Sequence, residues 1–124
     1  MIKWFEKNRK ISLILTILLI IEIFYFSSLQ GTIGAGPRIN LSTIYHFVVF
    51  FLFSFFLFAT VKGDKKIKAK YILIILVISI TYSILDEVHQ IFVPFRDASI
   101  RDILINNAGI FSSILIYLHI NNKS

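Results

Sequence analysis

Four continuous apolar runs, separated by short polar stretches, organise this 124-residue chain. They cover residues 11–29, 41–61, 71–85 with a mixed continuation to 93, and 103–120. A helix that crosses a hydrocarbon core needs about 20 mostly apolar residues. The first, second and fourth runs reach that length directly, and the third reaches it only when its polar end is counted. Spanning strands would alternate apolar and polar positions, which these runs do not. Lipid offers the backbone no hydrogen-bond partner, so a spanning segment must satisfy itself as a helix, and no proline interrupts any run. The pattern predicts an all-α, polytopic integral membrane protein. It is a single domain over 1–124, a four-transmembrane-helix bundle with helices near 10–29, 42–61, 69–93 and 100–120.

The connections carry the charge. Lys3, Lys7, Arg9 and Lys10 precede the first run, and Lys62, Lys65, Lys66, Lys68 and Lys70 surround the turn at Gly63-Asp64. With Lys123 they far outnumber Arg38, Arg96 and Arg101 on the other two connections. Positive residues stay in the cytoplasm, so both termini are expected to be cytoplasmic and the first and third loops outside. Trp4 and Tyr117 fall near the expected inner interface. A cleaved signal peptide is disfavoured because the first run exceeds the usual 7–15 apolar residues, contains Glu22 and has no Ala-x-Ala site after it. A faint repeat, with Gln30, Pro37, Arg38 and Ser42 against Gln90, Pro94, Arg96 and Ser99, suggests two tandem helical hairpins.

Composition supports lipid as the solvent. The chain is 56% hydrophobic and 16% charged, against about 25% charged in an ordinary soluble domain. Its net charge of +6 is explained by the topology signals, and no nucleic-acid-reading motif accompanies it. The absence of cysteine excludes disulfides and thiol chemistry.

Polar residues recur at one level of the bundle. At ~1.5 Å per residue, Glu22 lies ~18 Å beyond Lys10 and Asp86 ~24 Å beyond Lys70. His46 lies ~6 Å past Ser42, and Asn106 a similar depth past Asp102. All four helices thus place polar groups in the outer half of the membrane, which points to a polar cavity open to the outside. Asp86, His89 and Gln90 share a helix face by i, i+3, i+4 spacing, with Glu87 one position round. Asp102, Asn106 and Gly109 form a stripe on the fourth helix, where Gly109 would let a neighbour approach closely. The candidate pocket is therefore Glu22, His46, Asp86, Glu87, Gln90, Arg96, Asp102 and Asn106.

Plainer roles exist for most of these. Ser99-Ile100-Arg101-Asp102 fits a capping box with Asp for Glu, and Arg96 and Arg101 suit lipid phosphates. Gln90 and Asn106 suit interhelical hydrogen bonds. His46 and His89 suit a rim, and His119 an interface. Glu22 resists a plain role, since a carboxylate so deep must be protonated or paired. The Asp86-Glu87 pair is likewise costly unless Arg96 or His46 neutralises it. His46, Asp86, Glu87 and His89 are metal-ligand types, but no tight zinc spacing occurs. No metal and no cofactor is expected.

Ser83-Ile84-Leu85-Asp86-Glu87-Val88-His89-Gln90, then Val93-Pro94-Phe95-Arg96, Ser99-Ile100-Arg101-Asp102 and Asn106-Asn107-Ala108-Gly109, resemble the VanZ-like family. That family's hallmark is Asp-Glu-x-x-Gln, Pro-x-Arg, Ser-x-x-Asp and Asn-x-x-Gly in this order. Phe26-Ser27-Ser28 and Ile44-Tyr45-His46-Phe47 resemble its upstream elements, so the likeness spans about 24–109. Ser42-Thr43 stand where the family often has Asp-Lys, so a lysine role there has no counterpart. The resemblance implies a plasma-membrane protein of the cell envelope, linked through the family's founding member to resistance to the glycopeptide teicoplanin. Expected partners are membrane lipids, a lipid-linked cell-wall precursor or the glycopeptide. Three readings stand open: a binding module for a polar head group, an intramembrane enzyme using Asp86 or Glu87 with His46, and a small transporter or membrane scaffold.

Overall fold

A computed structural model describes residues 1–30 and 41–123, which form α1 (Ile2–Lys7), α2 (Arg9–Ser27), α3 (Leu41–Lys62), α4 (Ala69–Ile91) and α5 (Ile100–Asn122). The connection holding Gly31, Gly34, Gly36, Pro37 and Arg38 lies outside the described residues, as does Ser124. Helices α2 to α5 are each long and apolar enough to cross a membrane, and the chain is a multi-pass membrane protein. The third span ends at Ile91, two residues short of the sequence expectation. Helix α1 was not expected: Asn8 breaks it from α2 with φ −97° and ψ 57° and returns its side-chain amide to the Trp4 carbonyl at 2.8 Å.

The bundle is inside-out relative to a soluble one. Ile14, Ile17, Leu18 and Ile21 of α2, Leu73, Val77 and Leu85 of α4, and Leu104, Phe111 and Leu115 of α5 are exposed. The faces turned inward mix apolar residues such as Ile23, Ile75 and Ile110 with small or polar ones: Ser12, Thr16 and Ser27 of α2, Ser79 and Ser83 of α4, and Asn106, Gly109 and Ser113 of α5. In lipid no hydrophobic force drives helices together, so small residues that allow close packing and polar groups that bond across the interface occupy it.

Helix α3 is the hub. It is apolar around most of its circumference, as a surrounded helix must be, and buries Phe50, Phe53, Phe55 and Phe58. It packs most extensively on α5 and next on α2, and it also meets α4 and α1. Successive helices α2 and α3, and α4 and α5, are in contact as two hairpins would be, and the largest contact joins the hairpins. Gly109 sets that contact: a Cβ there would lie 2.4 Å from the Phe47 carbonyl oxygen and 3.1 Å from the Phe51 nitrogen.

The lysine-rich end is closed by a buried network absent from the sequence reading. Lys62 Nζ pairs with Glu6 Oε1 at 2.8 Å, and the Tyr117 hydroxyl donates to the same oxygen at 2.6 Å. Tyr117 is fully buried and stacked on Phe58, at 4.1 Å between ring centroids. It therefore joins α5 to α1 and α3 and is not the interfacial aromatic its position suggested. Trp4, by contrast, is exposed. Helix α1 is held here because its one carboxylate meets the cation that ends α3.

Candidate functional site

The polar residues gather at the opposite end, where α2 and α4 finish and α3 and α5 begin. His46 enters one turn into α3 and is buried. Its Nδ1 lies 2.9 Å from Asn106 Oδ1 on α5, across the close approach that Gly109 permits. Asp86, Glu87 and Gln90 occupy the last turn and a half of α4, all buried. Gln90 Nε2 donates to Asp86 Oδ2 at 3.4 Å, the i, i+4 neighbour on its face. The ligand-type atoms of His46, Asp86 and Glu87 all lie within 4.8 Å of one another.

Glu87 turns toward the loop before α5. Its Oε2 accepts from the backbone N–H of Ser99 at 3.1 Å. Ser99 in turn caps α5, its hydroxyl accepting from the Asp102 N–H at 3.4 Å. In a capping box the third residue's own side chain returns to the N-cap N–H. Here Glu87 of α4 fills that role, so the cap of α5 is built partly from another helix. Asp102 is half-buried at the rim.

Arg96 is placed by a strained turn. Its N–H closes on the Val93 carbonyl at 3.2 Å, with Pro94 second and Phe95 third, and Phe95 has φ +59°. Glycine usually takes the third position of a turn with this sign of φ, and a bulky residue there costs of order 1–3 kcal/mol. The turn carries Arg96 back to α2, where Nε donates to the Leu29 carbonyl at 3.0 Å and Nη2 to the Phe26 carbonyl at 2.9 Å. Arg96 thereby satisfies carbonyls left over at the C-terminal end of α2. His89 also faces α2: it stacks on Phe24 at 4.7 Å and bonds Ser28 Oγ through Nε2 at 2.9 Å. His89 shares a face with Asp86 by spacing, but its ring is engaged by Phe24 and Ser28 and is not one of the clustered ligand-type groups.

A cavity of about 450 Å³ opens between α2, α3 and α4, lined among others by Glu22, Ser27, His46, Asp86, Gln90 and Arg96. A second space of about 420 Å³ continues sideways between α2 and α3, lined mostly by apolar residues such as Leu19, Ile44, Val48 and Leu52. Glu22, Tyr45 and Val49 border both. Glu22 is exposed at this junction and has no hydrogen-bond partner among the described residues. Of the eight candidate residues, five line the cavity, while Glu87, Asn106 and Asp102 do not.

Sequence reasoning missed two supporting groups. Ser99 was read only as a cap, and nothing local reveals that its N–H meets a carboxylate on α4. The ion pair of Glu6 and Lys62 also passed unnoticed, although a lone acid among Lys3, Lys7, Arg9 and Lys10 was a visible oddity.

A family profile described as VanZ/LLP1 matches residues 4–121, nearly the whole chain. Nothing among curated proteins and nothing among solved structures matches it.

Proposed function

The chain belongs to the VanZ/LLP1 family, and from that premise we propose that it is a binding module of the cell envelope whose cavity takes the polar head group of an amphiphile. The carrying observation is that the two spaces share a border, with Glu22, Tyr45 and Val49 lining both. A chamber that brings Glu22, Asp86, Gln90 and Arg96 together among apolar side chains adjoins an apolar groove between α2 and α3. A head group in the chamber with a chain in the groove matches that division.

The energetics favour recognition through the head. A lipid tail moving from bilayer to groove leaves one apolar medium for another, so it contributes little to affinity. Charge-assisted hydrogen bonds contribute about 1.5–3 kcal/mol each. Glu22, Asp86 and Gln90 present acceptors, while Arg96 already donates from two nitrogens to backbone carbonyls and Arg101 is exposed. This acceptor-rich wall suits hydroxyl or ammonium donors, as on sugars and amines, better than a bare phosphate. The ligand class is thus a glycolipid or lipid-linked cell-wall precursor, or the glycopeptide itself. The lysine distribution orients the cavity outward from the plasma membrane with both termini cytoplasmic, and engagement of the target or drug would lower drug access there.

The test is binding by the purified chain in lipid nanodiscs, titrated with teicoplanin and with a polyprenyl-linked sugar and read by native mass spectrometry. Glu22→Gln and Gln90→Ala should each weaken binding about tenfold, the equivalent of ~1.4 kcal/mol. Shortening the alkyl chain should change it little. Unchanged binding in both variants would defeat the proposal. A second reading, an intramembrane enzyme, draws on the closeness of His46 to Asp86 and Glu87, since adjacent carboxylates with different surroundings can divide acid and base roles. It requires a new product in lipid extracts that disappears in Glu87→Gln.

A further inference from the structure

We propose that His46, Asp86 and Glu87 form a binding site for one divalent first-row transition metal ion, of the zinc or manganese class, at the wall of the cavity. The inference stands apart from whether the cavity takes an amphiphile. Each of the three side chains comes from the interior of the bundle, with 5%, 6% and 2% of its surface exposed. Their ligand atoms lie within 4.8 Å of one another. Bonds of about 2.0–2.2 Å to a common ion set tetrahedral ligand atoms about 3.4 Å apart, so a pair at the 4.8 Å limit closes by about 1.4 Å when the ion binds.

The more specific observation is how each candidate ligand is held. His46 uses Nδ1 for Asn106 Oδ1. A carbonyl oxygen only accepts, so Nδ1 is the donor, and the neutral ring then has the Nε2 lone pair free for a metal. Asp86 has Oδ2 within 3.4 Å of Gln90 Nε2, and the Ser27 hydroxyl stands beside its carboxylate. Glu87 has Oε2 engaged by the Ser99 N–H, while Oε1 is buried with no hydrogen-bond partner among the described residues. In His46 and Glu87 one atom is anchored by a neighbour and the other has no partner among the described residues. Metal sites orient their ligands in this way: a histidine donates its far N–H to a carbonyl, and the carboxylates are themselves hydrogen-bonded.

Charge points the same way. Among the described residues the salt bridge is Lys62–Glu6 at the far end; Asp86 and Glu87 form none, and Arg96 acts on both only at longer range. Arg96, the nearest guanidinium to this cluster along the chain, donates to Phe26 and Leu29 carbonyls. Two carboxylates buried beside each other without a direct ion pair are unfavourable, and a divalent cation neutralises both. One imidazole with two carboxylates, and no cysteine in the chain, suits borderline-to-hard ions. Three protein ligands leave coordination positions open, and His46 and Asp86 line the cavity, so those positions face the space where a ligand would enter.

The experiment uses the full chain purified in detergent, stripped with chelator and re-equilibrated with micromolar zinc or manganese, its content read by inductively coupled plasma mass spectrometry. About one ion per chain is expected, with affinity reduced at least tenfold in His46→Gln and in Glu87→Gln and retained in Asp97→Asn, an exposed carboxylate outside the cluster. X-ray absorption at the metal edge of the unsubstituted chain gives a readout independent of whether the variants fold: one imidazole and otherwise oxygen ligands. Less than about a tenth of an ion per chain, metal content unchanged in both variants, or a spectrum without imidazole would each overturn the proposal. A head-group ligand that still binds metal-free protein leaves the function proposed above intact.

Discussion

Replacing Gly109 by alanine tests the contact on which the site is built. A Cβ at this position falls 2.4 Å from the Phe47 carbonyl oxygen and 3.3 Å from its carbon. Both are backbone atoms of α3, so no side-chain rotation relieves the overlap. A carbon and a carbonyl oxygen settle at about 3.3–3.6 Å, so α3 and α5 must separate locally by roughly 1 Å. Alanine returns up to about 1 kcal/mol through its higher helix propensity. Overpacking a tight interface costs typically 1–3 kcal/mol, so the net loss should be about 1–2 kcal/mol. The same displacement reaches the site. His46 and Asn106 flank this contact at 2.9 Å, and a further ~1 Å takes them beyond hydrogen-bonding distance. Thermal unfolding in detergent should show a lower midpoint, and metal affinity should fall together with it. If Gly109→Ala matches or exceeds the original stability and keeps full metal affinity, the approach of α3 and α5 is looser than described and the reasoning fails.

Three further outcomes follow from named contacts. Glu6→Ala leaves Lys62 buried without its partner and should cost about 3–5 kcal/mol, whereas Glu6→Leu combined with Lys62→Met should recover most of it. Equal losses in both, measured by thermal unfolding, would show that the charge pair is not what holds α1. Phe95→Gly removes the strain of φ +59° and should raise stability by about 1 kcal/mol without weakening head-group binding; a lower melting point would mean that the exposed ring makes a stabilising contact of its own. Because the chain has no cysteine, single cysteines can be placed directly. Cysteine at Lys65 should react with an impermeant reagent only after cell lysis and cysteine at Asp97 in intact cells, and the reverse pattern would invert the topology.

The spans were legible because their signal is local. A run of about 20 apolar residues carries its own reason to be a helix in lipid, since every backbone bond it needs lies within four residues. The shared depth of His46, Asp86 and Asn106 was legible for a related reason: rise per residue converts position into height without knowledge of neighbours. Facing was less secure. His89 is one turn from Asp86 yet turns to Phe24 and Ser28, while Glu87, one position round by spacing, is among the most buried residues of α4.

The number of crossings, the polar level and the family can be read from the order of residues alone. Each follows from the order of residues along one chain segment. Only the tertiary structure decided that Arg96 serves the end of α2, that Ser99 meets Glu87, that Asn106 holds His46, and that Glu6 finds Lys62 and Tyr117. These pairs are 12 residues apart in the nearest case and 111 in the farthest. No local periodicity encodes them, because they depend on which helix faces which, and in lipid that choice is made by close packing at positions such as Gly109 rather than by burying apolar surface.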